Sequence, residues 1–312
     1  MKFLAANLEL FTSRNDPTDP RWGDQLSSLS LETAEWVLKG YPDEEGIRLN
    51  GGRLGAAQAP DSIRRQLFKT TFWSKSPTLL DLGNLEIAGN LDQRHQFCRS
   101  SLTEILKLGK RAITLGGGHD FGYPDGAAFL EVFKDQSPLV LNFDAHLDVR
   151  NLDRGLSSGT PFFRLIEEFK KFEFHEIGLQ PQCNSEAHWN WLLSKDGQIL
   201  SLPEIRKSSD PLCKQITDKL ALPRTARRPT YLSIDIDAFC NAEAPGCSQS
   251  WVSGLTANEF LPVLHQLTEH LDLRVVGIYE VSPPFDVDHR TSKLAAQIIH
   301  SILTPAIGHR AL

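Results

Sequence analysis

Two carboxylate-rich clusters carry most of the chemistry available to this chain: Asp144-Ala-His-Leu-Asp148, and Asp235-Ile-Asp237 about ninety residues later. Each follows a short apolar run, at 137–143 and 229–234, and such runs read as buried parallel strands. Successive side chains of a strand point to opposite faces. Asp144, His146 and Asp148 therefore share one side if the extended geometry persists past the strand end, as do Asp235 and Asp237. His119, in Gly116-Gly-Gly-His-Asp120 after the apolar stretch 112–115, completes a set of four carboxylates and two imidazoles. That set suits two hard or borderline divalent ions, Mn²⁺ first.

Any one of these pieces alone would read as a surface loop or a capping cluster. Together, several acidic groups placed directly after hydrophobic strands would repel one another and resist burial unless cations compensated them. Two ions bridged by carboxylates would hold a water and lower its pKa, making hydroxide available near neutral pH to attack an unreactive sp² carbon. The chemistry expected is metal-assisted hydrolysis.

The elements that must position these groups alternate along the chain. Strand candidates lie at 79–82, 112–115, 139–143, 173–178, 199–200, 231–236 and 274–279, and helical spacing predicts helices at 92–108, 161–171, 187–193, 212–220, 257–271 and 291–303. This alternation implies βαβ crossovers and an α/β fold of three αβα layers, a mostly parallel sheet with helices on both faces. Ligands of such sheets bind beyond the carboxyl ends of the strands, where His119 and both acidic clusters fall. Residues 1–312 are expected to form one catalytic domain, with about 1–45 a variable N-terminal arm packed on it. No internal repeat or low-composition linker divides the chain.

A net charge of −6 and a pI near 5.9 give no electrostatic footprint for nucleic acid or anionic membrane. Residues 1–12 lack the basic start and continuous apolar run of a signal peptide, and no stretch of about eighteen apolar residues exists to span a membrane. A cytoplasmic enzyme acting on a small molecule is expected, with homo-oligomerisation left open. The five cysteines, Cys98, Cys183, Cys213, Cys240 and Cys247, are odd in number and form no CxxC pair, so they read as free thiols. Cys240 and Cys247 follow the Asp235 cluster closely enough to leave a disulfide open. Histidines outside the clusters, His95 and His188 among them, read as surface or packed residues. The triple glycine at 116–118 lacks phosphate-loop spacing and reads as backbone room beside the metals.

In the order and spacing of its motifs the chain resembles the ureohydrolase superfamily of arginases, agmatinases and formimidoylglutamases. The resemblance rests on Gly116-Gly-Gly-His-Asp120, Asp144-Ala-His-Leu-Asp148, Ser157-Ser-Gly-Thr-Pro-Phe162, Ser233-Ile-Asp-Ile-Asp237, Ala244-Pro-Gly246 and Glu280-Val-Ser-Pro283, extended by Asn50-Gly-Gly-Arg-Leu-Gly-Ala56 and Ala59-Pro-Asp-Ser-Ile-Arg64, and covers roughly residues 45–305. It implies an arginase-like fold and two Mn²⁺ per chain. His119, Asp144, Asp148 and Asp235 would surround one ion and Asp144, His146, Asp235 and Asp237 the other, with Asp144 and Asp235 bridging. It further implies that Asp148 moves a proton from the nucleophilic water to the leaving amine. Glu280 would grip the cationic C–N group of the substrate, since a carboxylate can accept the parallel N–H donors of an amidinium bidentately. Asp286, Asp288 and Arg290 read as structural.

Substrate choice within the resemblance falls to the loop between Asp148 and Phe162. Arginases and agmatinases carry a His immediately before its glycine; here Ser158 precedes Gly159. This departure fits the formimidoylglutamase pattern, whose substrate carries a formimino group on a glutamate with two carboxylates. Arg150 and Arg154 in the same loop are apt anion anchors. The expectation is hydrolysis of N-formimidoyl-L-glutamate to L-glutamate and formamide, a step of histidine degradation. Urea release from a guanidino acid or agmatine is the alternative, and a non-catalytic metal-binding member of the fold a remote third.

Overall fold

The apolar runs read as buried strands do form a sheet. The computed structural model describes residues 1–25, 30–222 and 227–304. Among these the strands are β1 (Phe3–Leu4), β2 (Trp36–Gly40), β3 (Leu79–Leu85), β4 (Arg111–Leu115), β5 (Leu139–Phe143), β6 (Glu173–Leu179), β7 (Gln198–Ser201), β8 (Pro229–Asp235) and β9 (Asp272–Tyr279). They pair in the order β1-β3-β2-β4-β9-β8-β5-β6-β7. Only β1 runs antiparallel to its neighbour. The last of the described strands in sequence, β9, lies between β4 and β8 and is, among the described residues, the sole strand linking the two halves of the sheet.

The helices are α1 (Glu45–Leu49), α2 (Ala59–Leu67), α3 (Leu91–Lys107), α4 (Gly122–Phe133), α5 (Pro161–Glu168), α6 (Glu186–Ser194), α7 (Leu202–Lys207), α8 (Leu212–Lys219), α9 (Ala257–His270) and α10 (Arg290–Leu303). Their placement follows from the two-residue period of the strands. Leu38, Ile113, Leu141, Leu232 and Val276 pack into one core with α2, α8, α9 and α10, whereas their neighbours Val37, Ala112, Val140, Tyr231 and Val275 pack into another with α3, α4 and α5. Both faces are thus dry, and the architecture is a three-layer αβα sandwich. Among the described residues no helix is long and apolar enough to cross a membrane.

Six elements, β1, β2, α1, α2, α4 and α7, lie outside the sequence expectation, and two of them matter most. Residues 1–45 were expected to form an arm, yet Trp36–Gly40 is an inner strand, buried along its whole length between β3 and β4. Lys39 interrupts its apolar pattern and hides it. Helix α4 was also unforeseen. All its residues but Glu131 and Val132 are buried, so it has no polar stripe to produce a helical period.

Candidate metal centre and substrate cavity

Four strands that are neighbours in the sheet, β4, β9, β8 and β5, deliver the site residues from their carboxyl ends. Beyond β4, His119 opens a short 3-10 turn leading into α4. A side chain at Gly117 would strike the backbone of Asp43, so glycine is required for this turn to pass so closely. The His119 ring is held on three sides. Its Nε2 lies 2.9 Å from Ser233 Oγ, its face stacks on Tyr279 at 4.9 Å, and Phe162 meets it edge-on at 5.4 Å. The ring so fixed turns Nδ1 toward Asp148 Oδ2 at 3.0 Å, Asp144 Oδ2 at 3.1 Å and Asp235 Oδ2 at 3.2 Å.

The second group forms beside it. His146 Nδ1 is 3.0 Å from Asp237 Oδ2 and 3.6 Å from Asp144 Oδ1. Asp144 therefore offers one oxygen to each histidine and is common to both groups of candidate ligands. Asp235, expected to be shared as well, faces only His119; its other oxygen accepts the Asp237 N–H at 2.9 Å. Backbone donors orient the rest of the set, with His146 N–H on Asp144 Oδ1 at 2.6 Å and Ala145 N–H on Asp237 Oδ1 at 3.3 Å. Asp148 takes a left-handed backbone, φ 48°, a conformation an aspartate tolerates better than most residues.

The electrostatics fit cations. Among the described residues no lysine or arginine pairs with this cluster, and His119 Nδ1 is buried without a hydrogen bond although three carboxylate oxygens surround it. Burial, then Asp237 and Asp144, push Asp235 well above the usual carboxylate range, and burial with Asp144 lifts Asp148 to about 6. Burial also opposes ionisation of Asp144, but His119 and His146 outweigh it and hold its carboxyl low. Protons must stand in for positive charge when no cation is bound, and divalent ions would displace them.

Glu280 follows β9 in a left-handed conformation, φ 63°. This turns its buried carboxylate back to accept the His119 N–H at 3.0 Å. It opens with His146, Asp148, Asp235 and Asp237 into a cavity of about 300 Å³. Ser158 lines the same cavity, its hydroxyl accepting from Asn50 Nδ2 at 3.1 Å. Arg150 stands where this cavity meets a neighbouring one of about 350 Å³. Its aliphatic stem passes where a side chain at residue 159 would lie, which Gly159 leaves free. Arg154 lines the outer cavity alone, so the two loop arginines are not equivalent.

Several cavity residues were not foreseen. Asn184 clamps the acidic loop, accepting from Leu147 N–H at 2.8 Å and donating to the Ala145 and Gln180 carbonyls. His188, expected to be a surface or packed residue, borders both cavities, and burial followed by the nearby Arg150 lowers its pKa. Cys183, Gln249 and Trp251 complete the wall. All five cysteines, Cys240 and Cys247 included, are free. Asp286 caps α10 through the Thr291 and Ser292 N–H groups, as its structural reading anticipated.

A family model described as the arginase family matches residues 35–304. The chain is 30% identical over 315 residues to the formimidoylglutamase of Staphylococcus haemolyticus, covering 96% of this chain and 99% of that one. It is also 30% identical over 271 residues to the formimidoylglutamase of Klebsiella pneumoniae, covering 85% and 84%. Among solved structures, Trypanosoma cruzi formiminoglutamase with Mn²⁺ superposes with a TM-score of 0.81 at 28% identity, over 91% of this chain and 98% of that one. The formimidoylglutamase of Bacillus subtilis gives 0.83 at 25% identity, over 94% and 93%.

Proposed function

Because this chain belongs to the arginase family, we propose that it hydrolyses N-formimidoyl-L-glutamate to L-glutamate and formamide with two Mn²⁺ bound per chain. The observation that carries this reading is a two-histidine, four-aspartate cluster opening, beside Glu280, into a cavity walled by Ser158 and Arg150, in a chain matched nearly end to end by formimidoylglutamases. His119, Asp144, Asp148 and Asp235 would hold one ion and Asp144, His146 and Asp237 the other. When bound, the ions supply Lewis acidity that makes hydroxide available near neutral pH.

The chain's own groups do the rest. Glu280 accepts the N–H donors of the protonated formimino group and fixes its carbon over the cluster, a charge-assisted contact that orients as well as binds. Asp148, beside His119 at the cavity wall, takes a proton from the attacking water and gives it to the glutamate nitrogen as the C–N bond breaks. Arg150, which lines both cavities, would meet a substrate carboxylate while the formimino end lies on Glu280. Ser158 leaves the loop without the imidazole that guanidine hydrolases carry there.

The test is turnover of formimidoylglutamate, agmatine, guanidinobutyrate and arginine by the Mn²⁺-loaded protein. Formamide release from the first should exceed urea release from the others; faster urea release would move the assignment to the guanidino compounds. Arg150→Ala should raise KM for formimidoylglutamate about 10- to 100-fold, because a charge-assisted hydrogen bond contributes roughly 1.5–3 kcal/mol. Arg154→Ala, in the outer cavity, should do less. Equal effects, or none at Arg150, would remove the anchor from Arg150.

A further inference from the structure

Behind the metal cluster lies a second polar assembly that the reaction does not use. Lys39 of β2 and Asp125 of α4 form a fully buried ion pair, Nζ to Oδ1 2.8 Å, both side chains at 0% exposure. Three buried tyrosines close around it. Tyr41 donates to Asp125 Oδ1 at 2.8 Å and is also bonded by Lys39 Nζ. Tyr279 donates to Asp125 Oδ2 at 2.7 Å, and Tyr231 lies 2.9 Å from the Tyr279 hydroxyl. A buried charge pair of this kind is seldom a net source of stability; its best attested use is to fix one arrangement.

What it fixes here is visible at Tyr279. The ring fills space that exists because residues 116 and 277 are glycines, since a Cβ at either would strike it. Its far face carries the His119 imidazole, stacked at 4.9 Å and 22°. Its hydroxyl, at the opposite end, is tied to Asp125. Along the chain it immediately precedes Glu280, whose N–H bonds the Gly117 carbonyl at 2.8 Å. One side chain therefore touches the imidazole of the first ligand group and precedes the carboxylate that faces the substrate.

We propose that Tyr279, anchored through its hydroxyl on the buried Lys39–Asp125 pair, is a positioning residue that holds the His119 ring so that Nδ1 faces the Asp144, Asp148 and Asp235 oxygens. The ring is the contact and the ion pair is its footing. Groups that orient metal ligands from behind typically change metal affinity by about 10- to 100-fold when removed. The inference rests on the metal-binding reading of His119, and the Mn²⁺ affinity of the unsubstituted protein tests that reading separately.

The experiment compares Tyr279→Phe with Tyr41→Phe. Each removes one hydroxyl from the same carboxylate, but only Tyr279 touches His119. Mn²⁺ affinity by titration calorimetry, thermal unfolding of the metal-free proteins, and kcat and KM on formimidoylglutamate are measured for both. Tyr279→Phe should weaken binding of one Mn²⁺ about tenfold and lower kcat, with KM within twofold. Tyr41→Phe should keep parental affinity and kcat even where its unfolding temperature falls. Tyr279→Leu, which also removes the stacked ring, should lose about 100-fold in affinity. If Tyr279→Phe does not fold, Tyr231→Phe, which loosens the same hydroxyl, should show the smaller loss in the same direction. Equal Mn²⁺ affinity in the parent and Tyr279→Phe, or equal losses in Tyr279→Phe and Tyr41→Phe, would overturn the positioning role. A parent that binds no Mn²⁺ would overturn the metal reading and this inference with it.

Discussion

Asp144→Ala is expected to strip both ions and reduce turnover by several orders of magnitude while leaving the chain folded. Asp144 presents Oδ2 to His119 at 3.1 Å and Oδ1 to His146 at 3.6 Å, so it belongs to both candidate ligand groups. Removing it subtracts a donor from each group, whereas removing Asp235 subtracts one from the first alone. Without the ions, water keeps its own pKa of about 15.7 instead of one near 7, and hydroxide is no longer available at neutral pH. The fold should survive because its stability resides in the two apolar layers between sheet and helices. Metal analysis and circular dichroism check this together. Two tightly bound ions in the Asp144→Ala protein would refute the sharing of Asp144.

Glu280→Gln should keep its metal and still lose about 10²-fold or more in kcat/KM, since a charge-assisted contact felt in the transition state contributes roughly 3 kcal/mol. An unchanged rate would return Glu280 to a purely structural role. A second signature appears in the metal-free protein. Burial first, then Asp237 and Asp148, raise the Glu280 carboxyl to about 8 from an ordinary 4.5, against the opposing His119 N–H. Between those values the folded chain holds a proton that the unfolded chain has released, so stability is retained at low pH and falls as pH rises toward 8. The amide of Glu280→Gln cannot ionise, and its unfolding profile should be flatter over that interval.

The metal cluster was legible because each donor stands directly beyond an apolar run, so the strand and its chemistry are read from one local window. Glu280 was legible for the same reason. Strand β2 and helix α4 were not. Helix α4 is buried nearly all round and has no polar stripe to set a helical period, while in β2 the buried charge of Lys39 breaks the apolar run. The partner that neutralises it lies 86 positions away, outside any periodicity. The cavity wall was hidden differently. Asn184, His188 and Trp251 come from segments that meet the acidic loops only after folding, and nothing in their local sequence marks them. The loop arginines show the converse, since adjacency in sequence suggested equivalent anchors and the backbone sends only Arg150 to the junction of the cavities.

The place of β9 sets a timetable for biosynthesis. The half-sheet of β1 to β4 and the half-sheet of β5 to β8 have no strand pairing between them until β9 enters. His119 belongs to the first half, Asp144 and Asp235 to the second. As the chain leaves the ribosome, residues up to about 270 can form two separate sheets with raw inner edges, and such edges are prone to pairing with the wrong partner. The group that includes His119 therefore converges only after nearly the whole polypeptide has been made, whereas Asp144, His146 and Asp237 meet as soon as β5 and β8 pair. An ion that needs His119 would find its ligands complete only on a finished sheet.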